Sequence, residues 1–563
     1  MNTLKNNVPE WDQSAPVDRS FRSIFKWGRR DFLKVPSPGF VSVIRDSLAL
    51  SDTDLAPRRS TGDEPVPEVT SIRISAQDLS GLEALVGRNN LSRETYDRLK
   101  YATGKSMEDI LMLRQGLVSD LSDVVIHPRD KQDVAAVVSF CHERHIPVQV
   151  HGGGSSVTRG LACCRGGVTL VMGTHMRRLL NFNETNQTIT VEPGMMGPAY
   201  ESLLNQAPEK LGASRRYTGG HFPQSFEHSS VGGWIVTLGA GQASSYYGDA
   251  CDLVVSQEYV TPVGSFRTLE YPGTATGPRV SDMMMGSEGC FGVLVSVTLK
   301  VFRYFPKNTR RFAFMFPDWK SAVAAGREIS QGEFGMPSIF RISDPEETDV
   351  ALKMYGLDQG ILGRFLSATR RFSGQRCLVM GQTEGEKRFS ASVKRSVKQV
   401  CRHYRGLYLT AYPMNKWYHG RFSDPYMRDV LNDHGVLIDT LESSVTWDNI
   451  DTLYHGVRSF IKGHPNTICM THASHFYAQG TNLYFIFITR MQDLEAFRRF
   501  QRGIIEQILA HKGSLSHHHG VGKSMGPFME THLGKEQMAA IRALKTHFDP
   551  HGIMNPGGTL GLD

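Results

Sequence analysis

The chain has 563 residues, a length that favours two to four compact units over one. Lys and Arg total 63 against 56 for Asp and Glu, and this small excess is spread along the chain, which argues against a nucleic-acid-binding protein. A hydrophobic fraction of 40% excludes general disorder. No apolar run reaches about 18 residues, so no transmembrane helix is predicted. The 55 glycines indicate many tight loops.

Residues 1–117 are mixed in character and are predicted to wrap around the rest of the molecule, with helices after Ser92. Residues 118–303 predict an α/β domain with short strands and glycine loops. Within it, an amphipathic helix is expected over 131–145, because Val134 and Val138 share one face with Val137 and Cys141. The predicted strands are 124–126, 146–150, 168–172 and 188–191.

Residues 304–511 have a different pattern, which predicts a second domain of α+β type. Alternating stretches at 311–316 and 483–489 predict strands, and amphipathic stretches at 319–329 and 494–511 predict helices. Residues 512–563 form a C-terminal segment that is again rich in glycine and histidine. No internal repeat is evident.

The chain ends and the cysteines bear on the compartment. The segment GRRDFLK at 28–34 resembles a twin-arginine export signal, but two prolines and then Arg45 and Asp46 follow it in place of a long apolar stretch. The last residues, 561–563, are not a peroxisomal address. Eight cysteines without a Cys-x-x-Cys pair are typical of reduced thiols. We therefore expect a cytoplasmic protein.

Three loops of glycine and hydroxyl residues form the first candidate site. A glycine has no Cβ, so successive backbone N–H groups can converge on an anion. One such loop is more often only a turn, but three within residues 118–303 favour a large, extended, phosphate-bearing ligand. The candidate cofactor-binding residues are Gly152, Gly153, Gly154, Ser155, Ser156, Ser230, Gly232, Gly233, Glu288 and Gly289.

These loops do not match the common nucleotide motifs. The first loop lacks the third glycine of the dinucleotide-binding fingerprint. The segment GVGKS at 520–524 ends like a phosphate-binding P-loop, but His517 stands where the first glycine should be.

The order of the motifs resembles the FAD-binding domain of the vanillyl-alcohol oxidase and p-cresol methylhydroxylase (PCMH) superfamily. The resemblance implies an α+β, two-domain flavoprotein with a PCMH-type FAD-binding domain and an antiparallel-sheet cap domain. It also implies FAD as the cofactor, with the first loop on its pyrophosphate. The matching segments are GGGSS at 152–156, EPG at 192–194, VGG at 231–233, DLV at 252–254 and GSEG at 286–289.

The 2-hydroxy-acid dehydrogenase branch of that superfamily carries a metal motif, His-x-Gly-Asp-Gly-Asn-x-His. Here the stretch 475–484 lacks the acidic residue, and Tyr484 stands in the place of the last histidine. His472 and His475 remain, but their spacing on a strand predicts opposite faces. We therefore expect no metal site.

The chain resembles the alkyldihydroxyacetonephosphate synthase (alkylglycerone-phosphate synthase) family over most of its length. That resemblance implies a transferase that exchanges the acyl chain of acyl-dihydroxyacetone phosphate for a long-chain fatty alcohol. The product has the ether bond of ether lipids, and there is no net redox change. The matching segments are KWG at 26–28, ATGKS at 102–106, TGP at 276–278, SIFR at 338–341, YMRD at 426–429, ESSVTWD at 442–448 and GSLSHHHGVGK at 513–523.

The resemblance also assigns candidate catalytic residues. It places His518 at the reacting centre, with His517 and His519 beside it, and Tyr484 as its partner; imidazole suits proton transfer because it titrates near neutral pH. Arg428 and Arg341 suit the phosphate and the leaving carboxylate, since a guanidinium is a permanent, forked cation.

Each of these residues has a simpler interpretation. A histidine triplet can be a surface accident or an adventitious metal site, Arg428 can be one half of a solvated ion pair, and Tyr484 can be a core aromatic. An FAD-dependent dehydrogenase or oxidase of a 2-hydroxy acid or alcohol is the alternative function, and a non-enzymatic flavoprotein is a third.

The sequence departs from the synthase family in several places. Ser155 replaces a threonine, residues 243–245 replace a basic pair, and no peroxisomal address is recognisable. We expect peripheral contact with a membrane, because the substrates are lipids and the net charge of +7 favours an anionic leaflet. A homodimer is expected because dimers are common in the superfamily.

Overall fold

The computed structural model describes residue 11 and residues 14–56, 62–358 and 360–563. Part of the predicted N-terminal wrap, at 1–10, 12–13 and 57–61, lies outside these residues. The described part contributes short helices, most of which pack into two cores of the second half of the chain, whereas the helix Ala76–Val86 packs into the core around the first sheet. Among the described residues, no helix is long and apolar enough to cross a membrane.

Two sheets form the first half of the molecule. The first has the order β1-β2-β4-β3, in which β2, β4 and β3 are parallel. The second is antiparallel, with the order β5-β6-β10-β8-β9. Their strands are β1 Leu91–Ser92, β2 Val124–Ile126, β3 Val148–His151, β4 Val168–Val171, β5 Leu179–Asn183, β6 Thr188–Val191, β8 Val254–Thr261, β9 Gly264–Arg267 and β10 Val293–Lys300.

A small sheet and a large sheet follow. Strands β7 Tyr217–Thr218 and β11 Phe302–Arg303 pair with each other. The large sheet has seven antiparallel strands in the order β15-β12-β14-β13-β17-β18-β16. Its strands are β12 Arg310–Phe316, β13 Ile339–Ser343, β14 Cys377–Thr383, β15 Leu407–Tyr408, β16 Val436–Thr446, β17 Ile468–Phe476 and β18 Gly480–Arg490.

The helices cover these sheets. Helices α12, α15, α18 and α19 bury one face of the seven-stranded sheet in the largest apolar cluster. The α-helices are α1 Phe21–Phe25, α2 Pro38–Leu48, α3 Ala76–Val86, α4 Thr95–Tyr101, α5 Met107–Arg114, α6 Lys131–Glu143, α7 Gly197–Asn205, α8 Ala207–Leu211, α9 Val231–Val236, α10 Ser244–Tyr247, α11 Ala250–Leu253, α12 Trp319–Gln331, α13 Pro345–Met354, α14 Gly360–Ala368, α15 Lys387–His403, α16 Tyr412–Gly420, α17 Met427–Asp433, α18 Ile450–Gly463, α19 Leu494–Ala510, α20 Gly522–Met525, α21 Met529–Leu533 and α22 Lys535–Phe548.

The C-terminal segment crosses back to the first half of the molecule. The backbone N–H of Val148 donates to the carbonyl of Ile553 at 2.8 Å, and the N–H of Asn555 donates back to Val148 at 2.8 Å. This pairing continues the first sheet beyond β3. Residues near the chain end are therefore anchored beside the strand that leads into the first glycine loop.

Most predicted elements are present with small changes at their ends. Strands β2 and β6 have the predicted bounds, whereas the helix predicted over 131–145 ends at Glu143. The strand predicted at 146–150 begins only at Val148, because Pro147 has no N–H to donate. The predicted fold class is confirmed, since a mixed domain precedes an antiparallel sheet.

Candidate active site

One face of the seven-stranded sheet carries polar side chains at one end. Glu442 of β16 lies opposite Tyr484 of β18, which lies opposite His472 of β17. Side chains alternate between the two faces of a strand, so these three share a face, while neighbours such as Leu483 and Phe485 enter the apolar core. The alternation therefore places these three polar side chains together on the face of the sheet that points away from the core.

Glu442 holds the triple-histidine loop in place. Its carboxylate, fully buried, accepts a hydrogen bond from Ser516 Oγ at 2.7 Å and from the backbone N–H groups of His517, His518 and His519 at 2.9, 3.1 and 3.1 Å. Burial alone would raise the pKa of Glu442, but nearby His519 and His517 and these hydrogen bonds outweigh it and lower the pKa. The loop is thus fixed around an anion.

Two imidazoles of the triple-histidine loop have lowered pKa values. Burial, followed by the neighbouring imidazoles His519, His475 and His517, holds the pKa of His518 well below its ordinary value. Burial also lowers the pKa of His519, although Glu442 opposes that shift. Both rings are therefore neutral near pH 7 and able to accept a proton.

Tyr484 contacts the loop through its ring. It stacks on His518 with ring centres 5.9 Å apart and on His472 at 4.9 Å. Its hydroxyl donates to Thr440 Oγ1 at 3.0 Å, and burial raises its pKa to about 12. The structure thus places the predicted partner of His518 beside it, in ring contact.

A second group of residues joins the histidines to the first half of the molecule. Tyr477 OH lies 2.7 Å from His517 Nε2 and donates to Asp249 Oδ2 at 2.6 Å. His517 Nδ1 in turn lies 3.1 Å from His518 Nδ1. A continuous hydrogen-bonded chain therefore runs from Asp249 to His518.

His475 also joins the cluster, which corrects the expectation that it faces away from His472. A bulge shifts the strand register between Ser474 and Phe476, and His475 is the extra residue, with φ of 53°. An extra residue restores both imidazoles to one side. His475 approaches His518 at 4.9 Å between ring centres, while His472 stacks on Tyr484.

This cluster has the spacing of a cation site. One ring nitrogen each of His475, His517 and His518 lie within 4.8 Å of one another. The expectation that the site holds no metal stays a prediction, based on the acidic residue missing from 475–484.

The two arginines flank this centre. Arg428 Nη2 donates to the carbonyl of Lys105 at 2.9 Å, and its buried Nε has no hydrogen-bond partner in the part of the chain that the structure describes. Arg341 pairs with Glu347, which also lies 3.3 Å from His472 Nδ1. Arg341 Nε is likewise buried without a partner among the described residues. Each guanidinium therefore retains a donor for an anionic ligand.

The first two glycine loops pack directly against each other. A Cβ on Gly152 would lie 2.4 Å from Ser230 Oγ, and one on Gly153 would lie 2.3 Å from the carbonyl of His228. A Cβ on Gly232 would lie 2.5 Å from the Cβ of Pro193. Only glycine allows this approach, so the loops form one continuous backbone surface.

The third loop joins that surface to the histidines. The carboxylate of Glu288 accepts from the backbone N–H groups of Val521 and Gly522 at 2.6 and 2.8 Å. Gly289 has φ of 78°, which favours glycine. Glu288 was predicted to bind the cofactor; here both of its carboxylate oxygens hold the segment that follows the triple histidine.

Buried polar atoms without partners show that these loops fit FAD. Ser287 Oγ in the third loop, His151 Nδ1 before the first, and both ring nitrogens of His221 are buried and lack a hydrogen-bond partner within the described residues. Orphaned buried polar groups are costly unless a ligand or water meets them. A polar, extended cofactor beside backbone N–H groups satisfies that requirement.

Four residues of this site were not predicted: Glu442 in its clamping role, Tyr477, Asp249 and His475. Glu442 had appeared only as the first residue of the matched segment at 442–448. Tyr477 lies within the stretch 475–484 that was compared with the metal motif, and its position two residues after His475 was the only available signal.

Comparison with known proteins agrees with the fold. The description "FAD binding domain" matches residues 122–270, and "FAD linked oxidases, C-terminal domain" matches residues 305–559. An alkyldihydroxyacetonephosphate synthase from Dictyostelium discoideum is 29% identical over 548 residues, 93% of this chain and 87% of that protein. A solved alkyldihydroxyacetonephosphate synthase is 25% identical, with a TM-score of 0.78 over 92% of both chains. A p-cresol methylhydroxylase structure shares the fold at 14% identity, with a TM-score of 0.65 over 87% of this chain and 98% of its own.

The chain is therefore a two-domain flavoenzyme of the FAD-linked oxidase fold, with FAD as its cofactor. Within that class the relatives that it resembles over most of its length are named alkyldihydroxyacetonephosphate synthase, in agreement with the resemblance of the matched segments.

Proposed function

We propose that the protein forms the ether bond of ether lipids by exchanging the acyl chain of acyl-dihydroxyacetone phosphate for a long-chain alcohol. The observation that carries the proposal is the triple-histidine loop, held by Glu442, between Tyr484 and two half-buried arginines. Similarity to proteins named alkyldihydroxyacetonephosphate synthase over 93% of the chain supports it.

FAD would lie against the glycine loops at 152–156, 230–233 and 286–289, where it would supply a ring able to exchange a substituent without net electron transfer. The exchange breaks the bond between the substrate carbon and the acyl oxygen, and it forms a bond from that carbon to the alcohol oxygen. The acyl group leaves as a carboxylate with its bonding electron pair, and the alcohol gives up one proton.

We assign the acceptance of that proton to His518. Its ring is neutral because burial and its imidazole neighbours depress its pKa, and it lies beside Tyr484. A positioned base of this kind typically contributes about 100- to 10,000-fold to a rate.

The arginines provide for the two anions of the reaction. Arg428 and Arg341 each keep a buried Nε that has no partner among the residues that the structure describes. We assign them to the phosphate and to the departing carboxylate, since a charge-assisted hydrogen bond is roughly twice as strong as a neutral one.

An exchange assay tests the proposal. The FAD-loaded protein should release fatty acid from acyl-dihydroxyacetone phosphate and incorporate labelled fatty alcohol, and His518→Ala should abolish this while leaving the flavin bound. His547→Ala, at an exposed histidine of α22, is the matched control and should retain activity. Reduction of an acceptor dye by a 2-hydroxy acid, without exchange, would instead establish the dehydrogenase alternative.

We also infer that the protein is a homodimer. We further infer that its surface contacts membranes, because long-chain substrates must be drawn from a lipid phase. Light scattering should give twice the chain mass of 62.8 kDa. Flotation with anionic vesicles should recover the protein; a monomer that stays with the unbound fraction would contradict both inferences.

A further inference from the structure

The hydrogen-bonded chain that ends at His518 begins in the other half of the molecule. Asp249 precedes α11, where its backbone N–H donates to Asp252 Oδ2 at 2.9 Å. Tyr477 lies in the turn between β17 and β18, which is closed by hydrogen bonds between the backbones of Tyr477 and Gly480. Both ends of the contact between Tyr477 and Asp249 are therefore held by local structure.

The protons that are available fix the direction of the hydrogen bonds between Asp249 and His518. Tyr477 has one hydroxyl proton and two neighbours, Asp249 Oδ2 at 2.6 Å and His517 Nε2 at 2.7 Å. An ionised carboxylate can only accept, so the proton points to Asp249. His517 Nε2 must then carry a proton and donate it to the phenol oxygen.

The proton on His517 Nε2 also fixes the direction of the hydrogen bond between His517 and His518. A neutral imidazole with a proton on Nε2 has a lone pair on Nδ1. His517 Nδ1 therefore accepts, and His518 Nδ1, 3.1 Å away, donates. Glu442 Oε2 lies 3.5 Å from His518 Nδ1, and this negative charge favours a proton on that nitrogen. His518 is left with its lone pair on Nε2.

We propose that Asp249 and Tyr477 are positioning residues that set the tautomers of His517 and His518, so that His518 Nε2 is the basic nitrogen of the site. The role in catalysis rests on the proposed function, whereas the assignment of tautomers does not. No covalent step is involved: His518, His517 and Tyr477 each donate one proton in one hydrogen bond, and Asp249 accepts the last of them.

Asp249→Asn tests the direction of the chain. An amide has nearly the same shape but can also donate, so the phenol is free to turn its proton to His517 Nε2. His517 then protonates on Nδ1, and His518 protonates on Nε2 and loses its free lone pair there. In the exchange reaction we expect kcat to fall about tenfold or more, with KM within about threefold, because the substrate contacts are unchanged.

Nuclear magnetic resonance reports the tautomers without any turnover. In FAD-loaded protein with isotope-labelled histidine rings, His517→Gln and His518→Gln identify the signals. The wild type should show His517 protonated on Nε2 and His518 on Nδ1, and Asp249→Asn should populate the reverse pair. Tyr477→Phe, which removes the hydroxyl link, should also lose the wild-type pair.

Asp46→Asn is the matched control, since it removes an exposed carboxylate of α2 that takes no part in this hydrogen-bonded chain. It should leave kcat and both tautomers as in the wild type. Identical tautomers in wild type and Asp249→Asn would overturn the proposal, whatever the activity. A wild-type protein without exchange activity would refute the proposed function, and the tautomer spectra would still decide the role of Asp249.

Discussion

Replacing Glu442 by Gln should release the triple-histidine loop. The carboxylate is fully buried and accepts from four donors, namely Ser516 Oγ and three consecutive backbone N–H groups. Glutamine keeps one oxygen but turns an NH₂ group toward N–H donors. Oε1 alone meets all four donors and Oε2 meets only the His517 N–H, so an amide oxygen at the Oε1 position keeps the four contacts but makes each of them a neutral hydrogen bond.

The size of the effect follows from the charge on the acceptor. Hydrogen bonds to a charged group contribute about 1.5–3 kcal/mol each and neutral ones about 0.5–1.5, so weakening four bonds by about 1 kcal/mol each costs roughly 3–4 kcal/mol. Because 1.4 kcal/mol corresponds to about tenfold, the backbone N–H groups of 517–519 should exchange with solvent about 100- to 1,000-fold faster.

Hydrogen exchange followed by mass spectrometry, on peptides that cover the loop, measures this directly. Glu506→Gln, at an exposed position of α19, is the control and should leave the loop protected. Since the pKa of Glu442 is lowered in the folded chain, its contribution is complete above the ordinary Glu value of about 4.3 and is lost as the pH falls through the lower folded value. If the loop of Glu442→Gln were as protected from hydrogen exchange near pH 7 as that of the wild type, Glu442 would not be the residue that holds the loop in place.

Two further substitutions test other parts of the site. Gly522→Ala should weaken FAD retention, because the new Cβ would lie 2.0 Å from the carbonyl of Thr158 at φ of 52°; Gly534→Ala, at φ of 82° with nothing nearby, should retain FAD, as judged by flavin absorbance after gel filtration. Burial raises the pKa of Asp439 to about 6, so ionising it opposes folding; Asp439→Asn should raise the free energy of unfolding by about 2–3 kcal/mol at pH 8 and little at pH 4, measured in urea. Equal urea midpoints at pH 8 would contradict this.

The chemistry of the site was predictable where it is written in local segments. The three glycine loops and the histidine triplet each occupy a few consecutive residues, and short spacing rules identify such patterns. The strand ends followed from apolar patterns and from proline, as at β2 and β6.

The contacts that organise the site were not predictable in the same way. Glu442 lies 75 residues before His517, and Tyr477 lies 228 residues after Asp249, so only the assembled sheet brings them together. The bulge at His475 reverses the face expected from regular alternation, and a single inserted residue leaves no periodic signal. Long-range pairing and one local irregularity therefore account for the residues that were missed.

The central claim is exchange without redox chemistry, and product stoichiometry tests it most directly. FAD-loaded protein would be mixed with acyl-dihydroxyacetone phosphate and labelled fatty alcohol, with an acceptor dye present. The proposed function predicts one fatty acid released for each alcohol incorporated into an ether, with the dye unreduced. Dye reduction that keeps pace with product, or fatty acid release without an ether, would contradict it.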